Sequence, residues 1–332
     1  MNILFLSHYF PPEVNAPASR TYEHARCWLR EPGVKVTVIT NHPNHPNGVF
    51  FAGYTNRWLT KEERDGIEVF RVKTYPAPNA GFFHRTLNYI FYMFAAVVMA
   101  AQLPKPDVVV ATSPQFFCAV AGYLVSLIKK RPFVFELRDI WPESIVTVGA
   151  CRPGWHIMAL RWLERLLYQK AAAIIAVTEA FRDYLIDLNL PPSKINVIKN
   201  SVDLKFFVPG PAPEKLKLEL GTHGKLIIAY IGTVGLAHAV DKIVELAGRF
   251  GSNPKILFII VGEGAEKKRI QGLVANNGLD NIKVLPGVSK EQVRDYYAIS
   301  DLNLVTLRNT PLFRKVIPSK IFEIMAMARP IL

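Results

Sequence analysis

Short runs of β-branched and aromatic residues alternate with longer amphipathic stretches along almost the whole chain, and one Pro- and Gly-rich segment interrupts the rhythm. That alternation leaves few folds open, because neighbouring parallel strands need a crossover of a dozen residues or more and a helix supplies it. The strand-like runs lie at 3–7, 34–40, 68–73, 107–112, 133–137, 173–177 and 195–198, with helical stretches such as 16–29, 116–128 and 157–168 between them. Periodicity fails over 204–224, where Pro209, Gly210, Pro211 and Pro213 cluster with Lys and Glu. It restarts with runs at 226–231, 256–261, 282–285 and 302–305 and a last helix from about Ser319. The reading is α/β: two Rossmann-like, doubly wound parallel-sheet domains, 1–203 and 225–332, joined by a linker at 204–224. Ligands of such folds bind at the carboxyl ends of the strands, so function is expected at a cleft where the two sheets face each other.

Composition narrows the class. The 332 residues suffice for two buried cores, and 50% apolar with 20% charged residues and no biased tract excludes disordered, collagenous and disulfide-scaffold chains. The formal charge of +13 is spread: 22 Lys+Arg against 16 Asp+Glu in 1–203, and 18 against 11 in 204–332. A dispersed excess suits a protein that handles diphosphates or lies on anionic lipid. Without a zinc-finger, RNP-like or basic-helix pattern, no nucleic-acid partner is expected. Cys27, Cys118 and Cys151 are too few and too scattered for a disulfide framework or a zinc site, which implies a reducing cytoplasm. Residues 1–5 run into a strand without a basic region, so no signal peptide is read. Residues 86–103 hold no charge over 18 positions. A membrane span needs about 20, and a place between two sheet strands argues for a helix packed partly on the sheet and partly exposed to lipid. An ordinary core helix and a true span are the alternatives.

The segment Asn196-Val197-Ile198-Lys199-Asn200-Ser201-Val202-Asp203, with Phe206 or Phe207 and Pro209 after it, carries the most specific signal. It resembles the V-I-x-N-G-V-D-x-x-x-F-x-P signature that ends the N-terminal domain of family four glycosyltransferases, with Ser201 in place of Gly. The second half continues the resemblance in order. Residues 230–238 (YIGTVGLAH) are similar to the family's first glycine-bearing loop, Val261-Gly262-Glu263-Gly264 to V-G-D-G, Leu285-Pro286-Gly287-Val288 to F-x-G-x-V, and Ala298-Ile299-Ser300-Asp301 to A-x-A-D. The resemblance implies the GT-B fold, a retaining transfer without metal or cofactor, an acceptor-binding N-terminal domain and a nucleotide-sugar-binding C-terminal domain.

Several positions depart from the family pattern. Thr233 and His238 stand where most members place Arg and Lys, as in a branch resembling O-antigen and capsule N-acetylfucosamine transferases. Glycines at 232 and 235 let backbone amides approach a diphosphate, and His238 reads equally as a phosphate contact or as a helix-initiating residue. Near the end, Glu323 falls on the acid that binds the donor ribose in relatives, while Lys315 replaces the earlier acid. Ser319 and Lys320 at a helix start offer a phosphate site in its place. Gly232, Thr233, Gly235, His238, Gly262, Val288, Ser319, Lys320 and Glu323 are therefore the expected donor-binding residues.

In the first half, Arg138-Asp139-Ile140-Trp141-Pro142-Glu143 follows a buried strand. Charged groups at a strand's carboxyl tip face the ligand edge. Arg138 is expected to neutralise a phosphate, and Asp139 or Glu143 to orient an acceptor hydroxyl, with a structural salt bridge as the competing reading. Asn15, in the loop after the first strand, and Ser113, in a Ser-Pro turn, are expected on the acceptor side, each also readable as a helix start. His42 and His45 suggest a metal pair but lack a third ligand, so no metal is expected.

The expected partners are a nucleotide-sugar donor, most plainly a UDP-sugar, a lipid-linked acceptor of bacterial surface polysaccharide synthesis, and an anionic membrane surface. Placement is expected to be peripheral, on the inner face of the cytoplasmic membrane. An inactive nucleotide- or lipid-binding scaffold of the same fold is the alternative. By the resemblance, a further strand and helices would follow Leu332, so the C-terminal domain reads as truncated and the activity of these 332 residues as low.

Overall fold

In a computed structural model, residues 1–77 and 82–332 are described, the side chain of Phe82 excepted. The chain divides into two compact units, 1–199 and 200–332.

The first unit runs β1 (Asn2–Leu6), α1 (Ala16–Trp28), β2 (Lys35–Asn41), β3 (Leu59–Arg64), β4 (Ile67–Val72), α2 (Phe82–Gln102), β5 (Val108–Thr112), α3 (Phe116–Lys129), β6 (Phe133–Leu137), α4 (Glu143–Thr147), α5 (Trp155–Lys170), β7 (Ala173–Ala176), α6 (Glu179–Asp187) and β8 (Ile195–Val197). One sheet results, in the order β3-β4-β2-β1-β5-β6-β7-β8. The strands at its centre are apolar on both faces, as helix-covered parallel strands must be: Leu4, Phe5, Leu6, Val109 and Ala111 are all buried. The order reverses between β1 and β5, which opens the ligand edge at the carboxyl ends of those strands.

β3 is an addition to the expected strands. Its sequence, LTKEER, is charged at four of six positions and reads as loop, yet it pairs antiparallel with β4 across Asp65 and Gly66, both left-handed (φ 51° and 80°). Two left-handed residues form the tight turn whose twist matches a hairpin, and an edge strand tolerates charge on its open side.

The second unit runs α7 (Glu214–Leu220), β9 (Leu226–Ile231), α8 (Asp241–Arg249), β10 (Ile256–Val261), α9 (Lys267–Asn276), β11 (Ile282–Leu285), α10 (Lys290–Ile299), β12 (Leu302–Asn303) and α11 (Lys320–Ala326). Its sheet, β11-β10-β9-β12, is parallel throughout and reverses order between β9 and β12. The 204–224 segment contains α7, and Phe206, Phe207, Leu216 and Leu220 from it join the core formed by β9, β10, α10 and α11. Pro-rich composition there reflects a wrap onto the second sheet. Apolar anchors spaced too irregularly for either period hold it.

Among the described residues no helix is long and apolar enough to cross a membrane. α2 buries Asn88, Tyr92, Ala96, Met99 and Ala100 against the unit and leaves Phe83, Leu87, Phe94 and Val98 exposed.

Candidate active site

In the second unit the chain turns sharply where β9 ends. Gly232 has a φ of +138°, open to glycine at little cost, and a Cβ there would lie 2.6 Å from Lys320 Nζ. Gly262, at the end of β10, is required for a different reason. A Cβ on it would sit 1.8 Å from Gly232 O, so only glycine lets the two loop tips close on each other. Gly235 opens a short 3-10 turn, Leu236–His238, and its backbone carbonyl accepts from His238 N at 3.0 Å.

Over this loop stands Lys320. Its ammonium lies 3.9 Å from the centroid of the Tyr230 ring, is shielded from solvent, and has no hydrogen-bond partner. Burial lowers its pKa to about 7, against an opposing pull from Glu323. The His238 ring packs beside Gly235, its Nδ1 also buried without a partner, and burial together with the Lys320 charge lowers it to about 4. A buried ammonium without an acceptor is costly unless something else completes it, and a second buried polar nitrogen without a partner lies close by. A diphosphate supplies the missing acceptors and the missing charge.

The other expected donor residues surround this centre unequally. Glu323 Oε2 accepts from Tyr297 Oη at 3.1 Å, which fixes its carboxylate on the inner side of α11. Thr233 is exposed, and its carbonyl accepts from Tyr230 Oη at 2.6 Å. Val288 packs on the unit's core. Ser319 precedes α11 without capping it, and α11 has only seven residues, so the anion attraction rests on the lysine and not on a helix end. Three participants escaped the sequence reading. Tyr230 and Tyr297, both buried, carry Lys320 and Glu323, while Glu263 Oε1 receives Gly287 N (3.0 Å) and Lys267 Nζ (2.6 Å), tying two loops together. Apolar runs in strand β9 and helix α10 hide such tyrosines, since ring and hydroxyl play separate parts.

In the first unit the expected residues form a braced loop at the tip of β6. Ser113 Oγ accepts from Arg138 N (2.6 Å) and Asp139 N (3.2 Å), so it is a staple for that loop. Arg138 bonds Glu136, which also meets His24 Nδ1 at 3.0 Å. Burial alone would raise Glu136, but the His24 hydrogen bond and the Arg138 charge hold it well below the usual carboxylate range. Arg20 of α1 joins this cluster, and burial, with repulsion from Arg138, lowers it to about 10. Asp139 is pushed up by burial and accepts from Ser144 Oγ at 2.8 Å. Glu143 is held in a fork by Arg161, at 2.6 and 3.0 Å. Asn15 caps α1 through Ala18 N at 2.9 Å. Asn15 thus caps a helix, Ser113 braces the β6 loop and Glu143 is paired with Arg161, while Asp139 is a buried carboxylate at the tip of β6. Among the described residues no group of His, Cys, Asp and Glu is arranged to hold a metal ion.

Two open α/β sheets, each with a ligand edge at its strand reversal, give the chain the GT-B fold. Residues 17–201 match the family described as glycosyl transferase 4-like domain, and residues 214–332 the family described as glycosyl transferases group 1. The chain belongs to the family four glycosyltransferases. It is similar to Escherichia coli WcaI, assigned to colanic acid biosynthesis as a glycosyl transferase, with 23% identity over 335 residues, 98% of this chain and 81% of that one. It is also similar to the GDP-mannose-dependent alpha-mannosyltransferase of Mycobacterium tuberculosis, 25% identical over 280 residues, 82% of this chain and 65% of that enzyme. Among solved structures, Anabaena HepE in complex with UDP and glucose superposes with a TM-score of 0.69 at 18% identity, over 100% of this chain and 80% of that one. Sucrose-phosphate synthase of Thermosynechococcus elongatus gives 0.75 at 15%, with the same coverage.

Proposed function

We propose that this glycosyltransferase moves a sugar from a uridine diphosphate donor to a hydroxyl of a lipid-linked saccharide in surface polysaccharide synthesis. It works peripherally on the inner face of the cytoplasmic membrane. The observation that carries the donor half is Lys320, a shielded and unpartnered ammonium beside Gly232. The complexes of Anabaena HepE with UDP and with UDP-glucose favour uridine as the nucleoside.

In the reaction the anomeric carbon leaves the diphosphate oxygen and bonds to the acceptor oxygen, whose proton passes to the departing diphosphate. Lys320 and the Gly232–Gly235 amides stabilise the negative charge that develops on the leaving group. The resemblance favours retention, with the diphosphate serving as base, so no carboxylate pair is required. Asp139 orients the acceptor hydroxyl, and Arg138 holds the loop that presents it.

The test is incubation of the purified chain and isolated membranes with a panel of UDP- and GDP-sugars. Transfer or donor hydrolysis with a UDP-sugar, lost in Lys320→Met, is the expected result. Activity confined to GDP-sugars, or unaffected by Lys320→Met, would overturn it. The anomeric configuration of the product, read by NMR, decides retention.

A further inference from the structure

A small pocket of about 20 Å³, open to solvent, lies at the carboxyl ends of β1 and β2, beneath the first turns of α2, and none of its residues belongs to the donor site or to the β6 loop. His8 and Tyr9, which follow β1, His45, which follows β2, and Arg85, Asn88 and Tyr89 of α2 line it. The ring of His8 meets those of Tyr9 and Tyr89 edge-on at 4.7 and 5.1 Å, and Tyr9 meets His45 at 5.1 Å, so the walls are rigid and aromatic.

The electrostatics are lopsided. Arg85 is the one formally charged side chain among the described lining residues, and no carboxylate lines the cavity. Arg85 Nη2 donates to Tyr89 Oη at 3.3 Å, while its Nε is buried without a partner. His45 Nδ1 is likewise buried and unpartnered. Burial lowers His8 to about 3 and His45 to about 4, the latter with help from the Arg85 charge, so both rings are neutral at pH 7 and add donors without adding charge. Burial disfavours the Arg85 charge but contact with Tyr89 and Tyr9 more than offsets it and raises its pKa, so a guanidinium with an unfilled Nε faces the pocket, and its fork fits the oxygens of a phosphate.

The outer side of the same helix supplies the second constraint. Phe83, Leu87, Phe94 and Val98 are exposed at spacings of four, seven and four residues, which puts them on one stripe about 22 Å long. A phosphate seated at Arg85 lies within about one helix diameter, 10–12 Å, of where that stripe begins. We propose that this cavity is the acceptor's anion subsite, taking the phosphate or diphosphate of a lipid-linked acceptor, whose hydrocarbon runs towards the stripe of α2. The proposal rests on the lipid-linked reading above and gives it an address.

Titration calorimetry of the full chain at saturating UDP, which keeps the donor site filled, tests the proposal with farnesyl diphosphate, inorganic pyrophosphate and farnesol. We expect farnesyl diphosphate to bind more tightly than pyrophosphate, and Arg85→Gln to weaken both at least tenfold while leaving UDP and farnesol affinities unchanged. Equal affinity for farnesyl diphosphate and pyrophosphate would make free phosphate the occupant and overturn the lipid assignment. A smaller loss in R85Q, or UDP affinity falling in step, would overturn the subsite. Should R85Q fail to fold, His45→Gln at the opposite wall is judged by a threefold loss of farnesyl diphosphate affinity with UDP affinity retained, a smaller loss counting against. UDP binding without any phosphate-probe binding would remove this subsite and leave the donor site standing, and the converse would remove the donor site alone.

Discussion

A single lysine concentrates the chemistry of the second unit. Lys320 has its pKa lowered from 10.5 to about 7 by burial, so between those values the unfolded chain holds a proton that the folded chain has released. Stability contributed by this group therefore rises as pH climbs from about 7 to about 10.5, and the charged form strains the fold below that window. An incoming diphosphate reverses the balance by favouring the ammonium. UDP binding at pH 8 is expected to take up a proton, measured by calorimetry in buffers of different ionisation enthalpy, and K320M should show no uptake. The same variant should raise Tm while losing at least tenfold in UDP affinity, the trade expected where a binding group is held under strain. Gly262→Ala should do the opposite of a neutral change, since a Cβ at 1.8 Å from Gly232 O forces the loop tips apart. We expect a loss of about 1–3 kcal/mol, the usual cost of overpacking, in thermal unfolding, together with weakened UDP binding. In the first unit, Glu136→Gln leaves Arg138 and Arg20 without their carboxylate. Because Glu136 is held below its usual range, its contribution is present above about pH 4.5 and fades as pH falls below that. The E136Q loss in Tm should thus be large at pH 7 and smaller at pH 3.

At the scale of elements, composition misled in two places and for one reason. β3 is charged at four of six positions and exists because an Asp65-Gly66 turn returns the chain beside β4. The 204–224 segment lacks periodicity yet packs five apolar side chains into the second core. Both depend on a partner surface from elsewhere in the chain, and no local window contains that surface. α2 is the converse case: a helix is legible there from the uncharged run, and the structure adds which of its faces is buried and which exposed. Replacing Phe94 and Val98, both exposed, by Ser should leave Tm unchanged. If α2 rests on a bilayer, the double variant should bind phosphatidylglycerol vesicles several-fold more weakly in a sedimentation assay.

For the molecule as a whole, the charge has a place as well as a sum. Residues 69–135, which include α2 and α3, hold seven Lys and Arg but only one acid, Asp107. Nearly half of the net +13 thus falls in a fifth of the chain, alongside the exposed apolar stripe of α2. Vesicle binding through such a region should weaken from 0.1 to 1 M salt as the screening length shrinks from about 10 to about 3 Å, leaving an apolar remainder that salt does not remove. The alternation of strand and helix periods determined by itself that this is an α/β chain with two sheets, because periodicity reports which faces must be buried. The order of its glycine-bearing motifs determined the family, because backbone approach to phosphate admits few other residues at those points. Which polar groups act was decided only by tertiary structure. Lys320 Nζ and Arg85 Nε are buried without a hydrogen-bond partner, and desolvation is a property of the packed surroundings that no residue carries in its own letter.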